Sequence, residues 1–196
     1  AQGRSRRDRR RGGPLKLADA PADLLAPYRD LQADPAPQRE GLLIAEGAEN
    51  VRWLVQSRLR VRSVLAKATM AETLAADLAA CPSGPAVLVD DRQAIDALVG
   101  YRFTRGILAC AERPVLGNVD DLLARIGDGP DGLVLCDTVH DHANIGATIR
   151  NARCFGLAGA ILTPGCADPF FRKTVRVSVG HVFHLPLAQA MDDFMA

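Results

Sequence analysis

Two strand-length apolar runs, residues 132–137 and 158–163, flank a segment whose apolar side chains recur at helical spacing, Ile145, Ile149 and Ala152. Spacing of i, i+4, i+7 puts these three on one buried helix face, while the flanking runs are too short to be anything but strands. Strand, loop, helix, strand is the signature of an α/β layer. It also fixes where function can sit. The polar segment His140-Asp-His-Ala143 follows the first strand, and ligands gather at the carboxyl ends of strands in open α/β sheets.

The same alternation runs through the earlier part of the chain. Strands are expected at 42–45, 61–66, 86–89 and 106–110, and helices at 22–31, 48–55, 69–78 and around Ile95 and Leu98. Thr69-x-x-Glu72 reads as a capping box, Asp90 or Asp91 as a helix cap, and Gly100 as a helix stop. Breaks fall at Pro35-Ala-Pro37, at Arg113-Pro114 and between Gly127 and Gly132. The expected organisation is a basic tail (1–20), a first α/β domain (21–113), a linker and helix (114–131) and a second α/β domain (132–196).

Charge is unevenly spread. The formal net charge is +1, but residues 1–16 carry seven basic side chains against one acidic, leaving 17 basic and 22 acidic residues for the rest. Such a tail is attracted to polyanions, or merely solubilises, and the acidic remainder means any RNA contact must come from local basic patches. No run approaches the length of a membrane span and no signal-peptide core follows the tail, so a cytoplasmic protein is expected. Five cysteines without a C-x-x-C pair read as reduced thiols, mostly buried.

Several polar residues admit two readings. Asn144 can cap the helix or hold a loop at its mouth. Gly146 marks a close approach of backbone. Arg150 lies at the edge of the apolar stripe, either solvated or functional. Asp168-Pro169 reads as a helix cap and first helical residue, and Ser178 and Gly180 as a helix end. His140-x-His142 and His181-x-x-His184 lack the partners of a recognised zinc set, so no metal is expected. Glu46-Gly47 is not a dinucleotide or Walker loop.

The pattern Asn144-x-Gly146-x-x-x-Arg150, followed by Phe155-Gly156, Asp168-Pro169, Arg176-x-Ser178-x-Gly180 and Pro186, resembles the first motif region of the SpoU/TrmH family of RNA ribose 2′-O-methyltransferases in the SPOUT superfamily. The resemblance implies a ribosomal-protein-like N-terminal RNA-binding domain, an α/β-knot methyltransferase domain and S-adenosylmethionine as cofactor. Ribosomal or transfer RNA would be the substrate and a homodimer the working form. It makes Asn144 and Arg150 the catalytic candidates, and Arg153, Arg172, Lys173, Arg176 and Ser178 the candidates for RNA contact.

A guanidinium at 150 could grip an RNA phosphate and stabilise a developing alkoxide, whereas its high pKa argues against its acting as the base. The family's later motifs, which build the cofactor pocket, are expected beyond Ala196, so the methyltransferase domain reads as truncated and its cofactor-binding residues as unknown. A non-catalytic RNA-binding protein is the alternative expectation.

Overall fold

The computed structural model describes residues 13–31, 41–126 and 132–190. The first twelve residues of the basic tail, the Pro35-Ala-Pro37 turn and most of the 127–132 break lie outside them. The chain divides into two compact units, 1–112 and 113–196.

The first unit is built on a four-stranded sheet in the order β1-β4-β2-β3. Its strands are β1 (Leu42–Glu46), β2 (Val61–Ala66), β3 (Ala86–Val89) and β4 (Ile107–Glu112). β4 lies antiparallel to both β1 and β2, and β3 joins β2 in parallel. Central β4 is apolar and fully buried from Ile107 to Ala111. Buried on both faces, a strand needs no alternation, which is why 107–111 reads as a continuous apolar run. The helices are α1 (Ala22–Leu25), α2 (Ala48–Val55), α3 (Ala68–Thr73), α4 (Ala75–Ala80) and α5 (Arg92–Val99).

Local chemistry explains where these elements depart from expectation. The helix expected over 22–31 stops at Leu25 and tightens into a 3-10 turn, Ala26–Tyr28, with Pro27 near its start. The capping box at Thr69 does not form, because α3 begins earlier, after Lys67, and Thr69 lies inside it. The helix then breaks at Leu74 into α3 and α4. Between Asp90 and Asp91, the cap of α5 is Asp91, whose carboxylate accepts from the Ala94 N–H at 2.9 Å. Gly100 ends that helix in the left-handed region.

The second unit carries a parallel three-stranded sheet, β5-β6-β7. Its strands are β5 (Leu133–Cys136), β6 (Gly159–Leu162) and β7 (Leu187–Gln189), and its helices α6 (Val119–Leu123), α7 (His142–Cys154) and α8 (Arg172–Val177). Ile145, Ile149 and Ala152 of α7 are buried, as their spacing requires. Cys81, Cys110 and Cys136 are buried thiols, Cys166 is half-buried and Cys154 exposed.

Candidate functional site

α7 starts two residues before Asn144. Its cap is Asp141, whose Oδ1 accepts from the N–H groups of Ala143 at 2.6 Å and Asn144 at 3.0 Å. These backbone donors, first Asn144 and then Ala143, hold the Asp141 carboxyl below its ordinary value, with a smaller contribution from Lys173. Lys173 Nζ of α8 reaches Asp141 Oδ2 at 3.4 Å. The capping reading of Asn144 is therefore corrected: Asn144 lies in the first turn, exposed at the helix mouth.

Gly146 sets the distance between α7 and α8. A Cβ at this position would stand 2.8 Å from the Thr174 carbonyl oxygen and 2.8 Å from Val177 Cβ. The close approach is thus to a helix, and only a hydrogen fits. Arg150 follows one turn later on the same face. Its Nη1 donates a long hydrogen bond, 3.4 Å, to the Val177 carbonyl at the end of α8. Half-buried and tethered there, Arg150 is not a freely solvated side chain. Asn144 is six residues away, about 9 Å along the axis and about 120° around it, so the two candidates do not converge through the helix alone.

The other basic candidates divide between two elements. Arg153 is exposed on α7, one turn beyond Arg150. Arg172, Lys173 and Arg176 belong to α8, with Lys173 and Arg176 exposed. Ser178 is different. It is fully buried and its hydroxyl donates to the Val175 carbonyl at 2.9 Å, so it finishes α8. After it the chain turns through Val179 and Gly180, with φ of 53° and 78°, into the 3-10 turn His181–Phe183.

Asp168 is also corrected. The cap position of α8 is Phe171, and Asp168 instead takes both guanidinium nitrogens of Arg113, at 2.6 and 2.7 Å, while accepting from the Phe170 N–H at 2.8 Å. The Arg113 guanidinium lies 5.3 Å from the Phe170 ring centroid. This planar, bidentate arrangement fixes the loop between β6 and α8. A second tie joins the loops after β5 and β6: Thr163 Oγ1 donates to Asp137 at 2.8 Å and accepts from the Thr138 N–H at 2.9 Å. His140 Nδ1 lies 2.8 Å from the Gly165 carbonyl.

Asp141, Arg113 and Thr163 hold the loops and the helix start of the candidate site, and sequence reasoning missed them. Asp141 carried a signal, an Asx residue three positions before Asn144; Arg113 and Asp168 are 55 positions apart and carried none. The assembled site is a polar mouth at the carboxyl ends of β5 and β6, with a rigid pair of helices presenting arginines beside it. Cations that project from backbone fixed by caps and close packing suit a polyanion.

Solved structures define the class first. The crystal structure of an AdoMet-bound rRNA methyltransferase from Sinorhizobium meliloti superposes with a TM-score of 0.68 over 91% of this chain and 66% of that one, at 23% identity, which shows the mixed α/β fold. Residues 132–196 match the SpoU rRNA Methylase family model.

An uncharacterized tRNA/rRNA methyltransferase of Mycobacterium bovis is 30% identical over 169 residues, 84% of this chain and 57% of that protein. A 23S rRNA (guanosine(2553)-2′-O)-methyltransferase of Bacillus subtilis is 40% identical over 57 residues, 29% of this chain and 23% of that protein. The chain thus spans little more than half the length of the first of these relatives.

Proposed function

We propose that the protein to which this chain belongs transfers a methyl group from S-adenosylmethionine to a ribose 2′-hydroxyl of ribosomal or transfer RNA. The observation that carries the proposal is the coincidence of family match and geometry. Within the matched residues 132–196, the Gly146 contact lets α8 approach and Arg150 is held against its end. In-line transfer requires the acceptor oxygen to be fixed against the donor, and a tethered guanidinium beside a phosphate does this while offsetting negative charge as the hydroxyl loses its proton. Arg150 is assigned to the acceptor, with Arg153, Arg172, Lys173 and Arg176 as phosphate contacts and Asn144 at the loop mouth.

S-adenosylmethionine supplies an electrophilic methyl on a cationic sulfonium. The charges gathered around Arg150 are cationic, which suits the phosphate of the acceptor and repels a sulfonium. The described residues therefore fit the RNA side of the reaction, and none is assigned to the cofactor. The finer architecture we propose is a ribosomal-protein-like RNA-recruiting first unit, a knotted catalytic unit, a homodimer and a cytoplasmic setting. The alternating α/β pattern of the first unit and the family match of the second support it.

The test is Arg150→Ala in the protein expressed from its complete coding region, assayed with radiolabelled S-adenosylmethionine on ribosomal and transfer RNA. Turnover should be lost while the circular dichroism spectrum and melting curve are retained. Near-normal turnover would exclude Arg150 from positioning the acceptor.

A further inference from the structure

The loop after β5 is held more tightly than its exposure requires. Thr138, its second residue, sits at φ 49°, a backbone region that a β-branched residue adopts only where the surroundings impose it. Bonds pin the segment on both sides of His140. The Thr138 N–H donates to Thr163 Oγ1 at 2.9 Å, the Val139 carbonyl accepts from the Ala167 N–H at 2.8 Å, and Asp141 caps α7. Between these ties stands the exposed imidazole of His140.

One nitrogen of that ring is bonded and the other is not. His140 Nδ1 lies 2.8 Å from the Gly165 carbonyl oxygen, and a carbonyl only accepts, so Nδ1 carries the hydrogen. Gly165 packs against the same ring: a Cβ there would stand 3.7 Å from His140 Cε1 and 3.9 Å from Thr138 Cγ2. In the neutral imidazole the lone pair is therefore on Nε2, which has no partner among the described residues. His142, two residues on, is half-buried, its ring centroid 4.3 Å from that of Phe171. A partner that fixes one imidazole nitrogen as donor and leaves the other as acceptor prepares a histidine to take up a proton.

We propose that His140 is the general base of the reaction, its Nε2 receiving the proton of the ribose 2′-hydroxyl. The inference rests on the RNA-methyltransferase proposal and fills a step which that proposal leaves open, since the Arg150 guanidinium is a permanent cation that cannot take up a proton. The place fits as well. His140 stands at the carboxyl ends of β5 and β6, in the same loop mouth as the exposed Asn144. In the step, the 2′-oxygen forms its bond to the methyl carbon while the carbon–sulfur bond breaks and leaves its electron pair on sulfur. The hydroxyl proton passes to Nε2, and the imidazolium so formed releases it to water.

The test compares the wild type with His140→Asn, each expressed from the complete coding region. An asparagine amide can still donate to the Gly165 carbonyl but cannot act as a base. With radiolabelled S-adenosylmethionine, kcat should fall about 10²- to 10⁴-fold while KM for RNA and the melting curve are retained. Wild-type kcat should decline as pH is lowered through the imidazole range, and the residual turnover of the variant should lack that decline. The other titratable groups on the elements packed here are Asp137 and Asp141 on the same loop, Cys166 and Asp168 on the loop after β6, and Lys173 on α8. All are common to both proteins, so the difference between the two profiles belongs to His140. A second readout needs no turnover: long-range proton–nitrogen NMR spectra of the histidine-labelled protein, with the His140 signals assigned by their loss in the variant, should show hydrogen on Nδ1 and none on Nε2 at mildly alkaline pH. Should His140→Asn misfold, His140→Gln replaces it in both experiments. Hydrogen on Nε2, or near-normal turnover in the variant, overturns this inference and leaves the RNA-methyltransferase proposal standing. A wild type that methylates neither ribosomal nor transfer RNA removes both.

Discussion

Both units bury hydrogen-bonded hydroxyls, Ser63 in the first and Thr174 and Ser178 in the second, yet the polar side chains that distinguish them differ. In the first, polarity is turned inward: Tyr28 is fully buried, its hydroxyl paired with the carbonyl and hydroxyl of Ser63 at 2.9 Å, and burial pushes its pKa well above the ordinary value. In the second, polarity is turned outward, to a capped helix mouth and a row of cations on α7 and α8. A buried hydroxyl fixes the register of a bulged strand, since Ser63 follows the irregularity in the β2–β4 pairing. An exposed arginine fixes nothing in the fold. The buried pair is explained by packing, and the exposed cations are what the proposed function puts to use.

Substitutions can break that contrast, and the largest effect belongs to the inward unit. Phe103 is fully buried in its core, so Phe103→Ala should cost about 3–5 kcal/mol, read by urea denaturation and as faster amide exchange across β1 and β4. Unchanged exchange there would place the strength of this unit elsewhere. Gly146→Ala tests the seam of the outward unit: the added methyl meets backbone and Val177, and a loss of about 1–3 kcal/mol is expected in the same denaturation experiment. A neutral outcome would mean that α7 and α8 can separate freely, and the tether of Arg150 would lose its support.

A smaller effect is expected at the cap. The Asp141 carboxyl is held below its ordinary value, so the ionised form is the one the fold favours. Its stabilisation is therefore complete above the unfolded-state value and fades as pH falls through the lower folded-state value. Melting curves recorded against pH should show Asp141→Ala less stable at neutral pH, with the gap closing in acid. A gap independent of pH would assign the loss to helix propensity.

The smallest perturbation is chemical. Cys154 is exposed, whereas burial pushes the Cys136 thiol up to about 11, so iodoacetamide on the native chain should label Cys154 and spare Cys136. Equal labelling, read by mass spectrometry, would show β5 opening to solvent.

Much of the frame was legible because it is periodic. β2 and β3 stand where their apolar runs put them, and the buried face of α7 follows from the spacing of Ile145, Ile149 and Ala152. What was hidden depends on contacts distant in sequence or on a choice between equivalent neighbours. Asp141 and Asn144 are both good caps one turn apart, and only the fold shows which carboxylate or amide receives the backbone donors. β7 is three residues long and shows no alternation, so pairing with β6 alone reveals it. Arg113 meets Asp168 from 55 positions away. The histidines at 181 and 184 were visible as letters, yet imidazole serves metals, protons and phosphates alike, so the letters assign no role.

Val179 marks a spot where durability and performance pull apart. Asparagine accommodates its left-handed backbone far better, so Val179→Asn should raise the melting temperature, by relief of about 1 kcal/mol, without removing any contact of a functional side chain. A laboratory selecting this chain for heat resistance would therefore be drawn to position 179, directly between Ser178 and the turn that carries His181. Any looseness such a variant introduced there would fall beside the end of α8 that holds Arg150, so thermal screens of this protein should be paired with an RNA-binding screen from the first round.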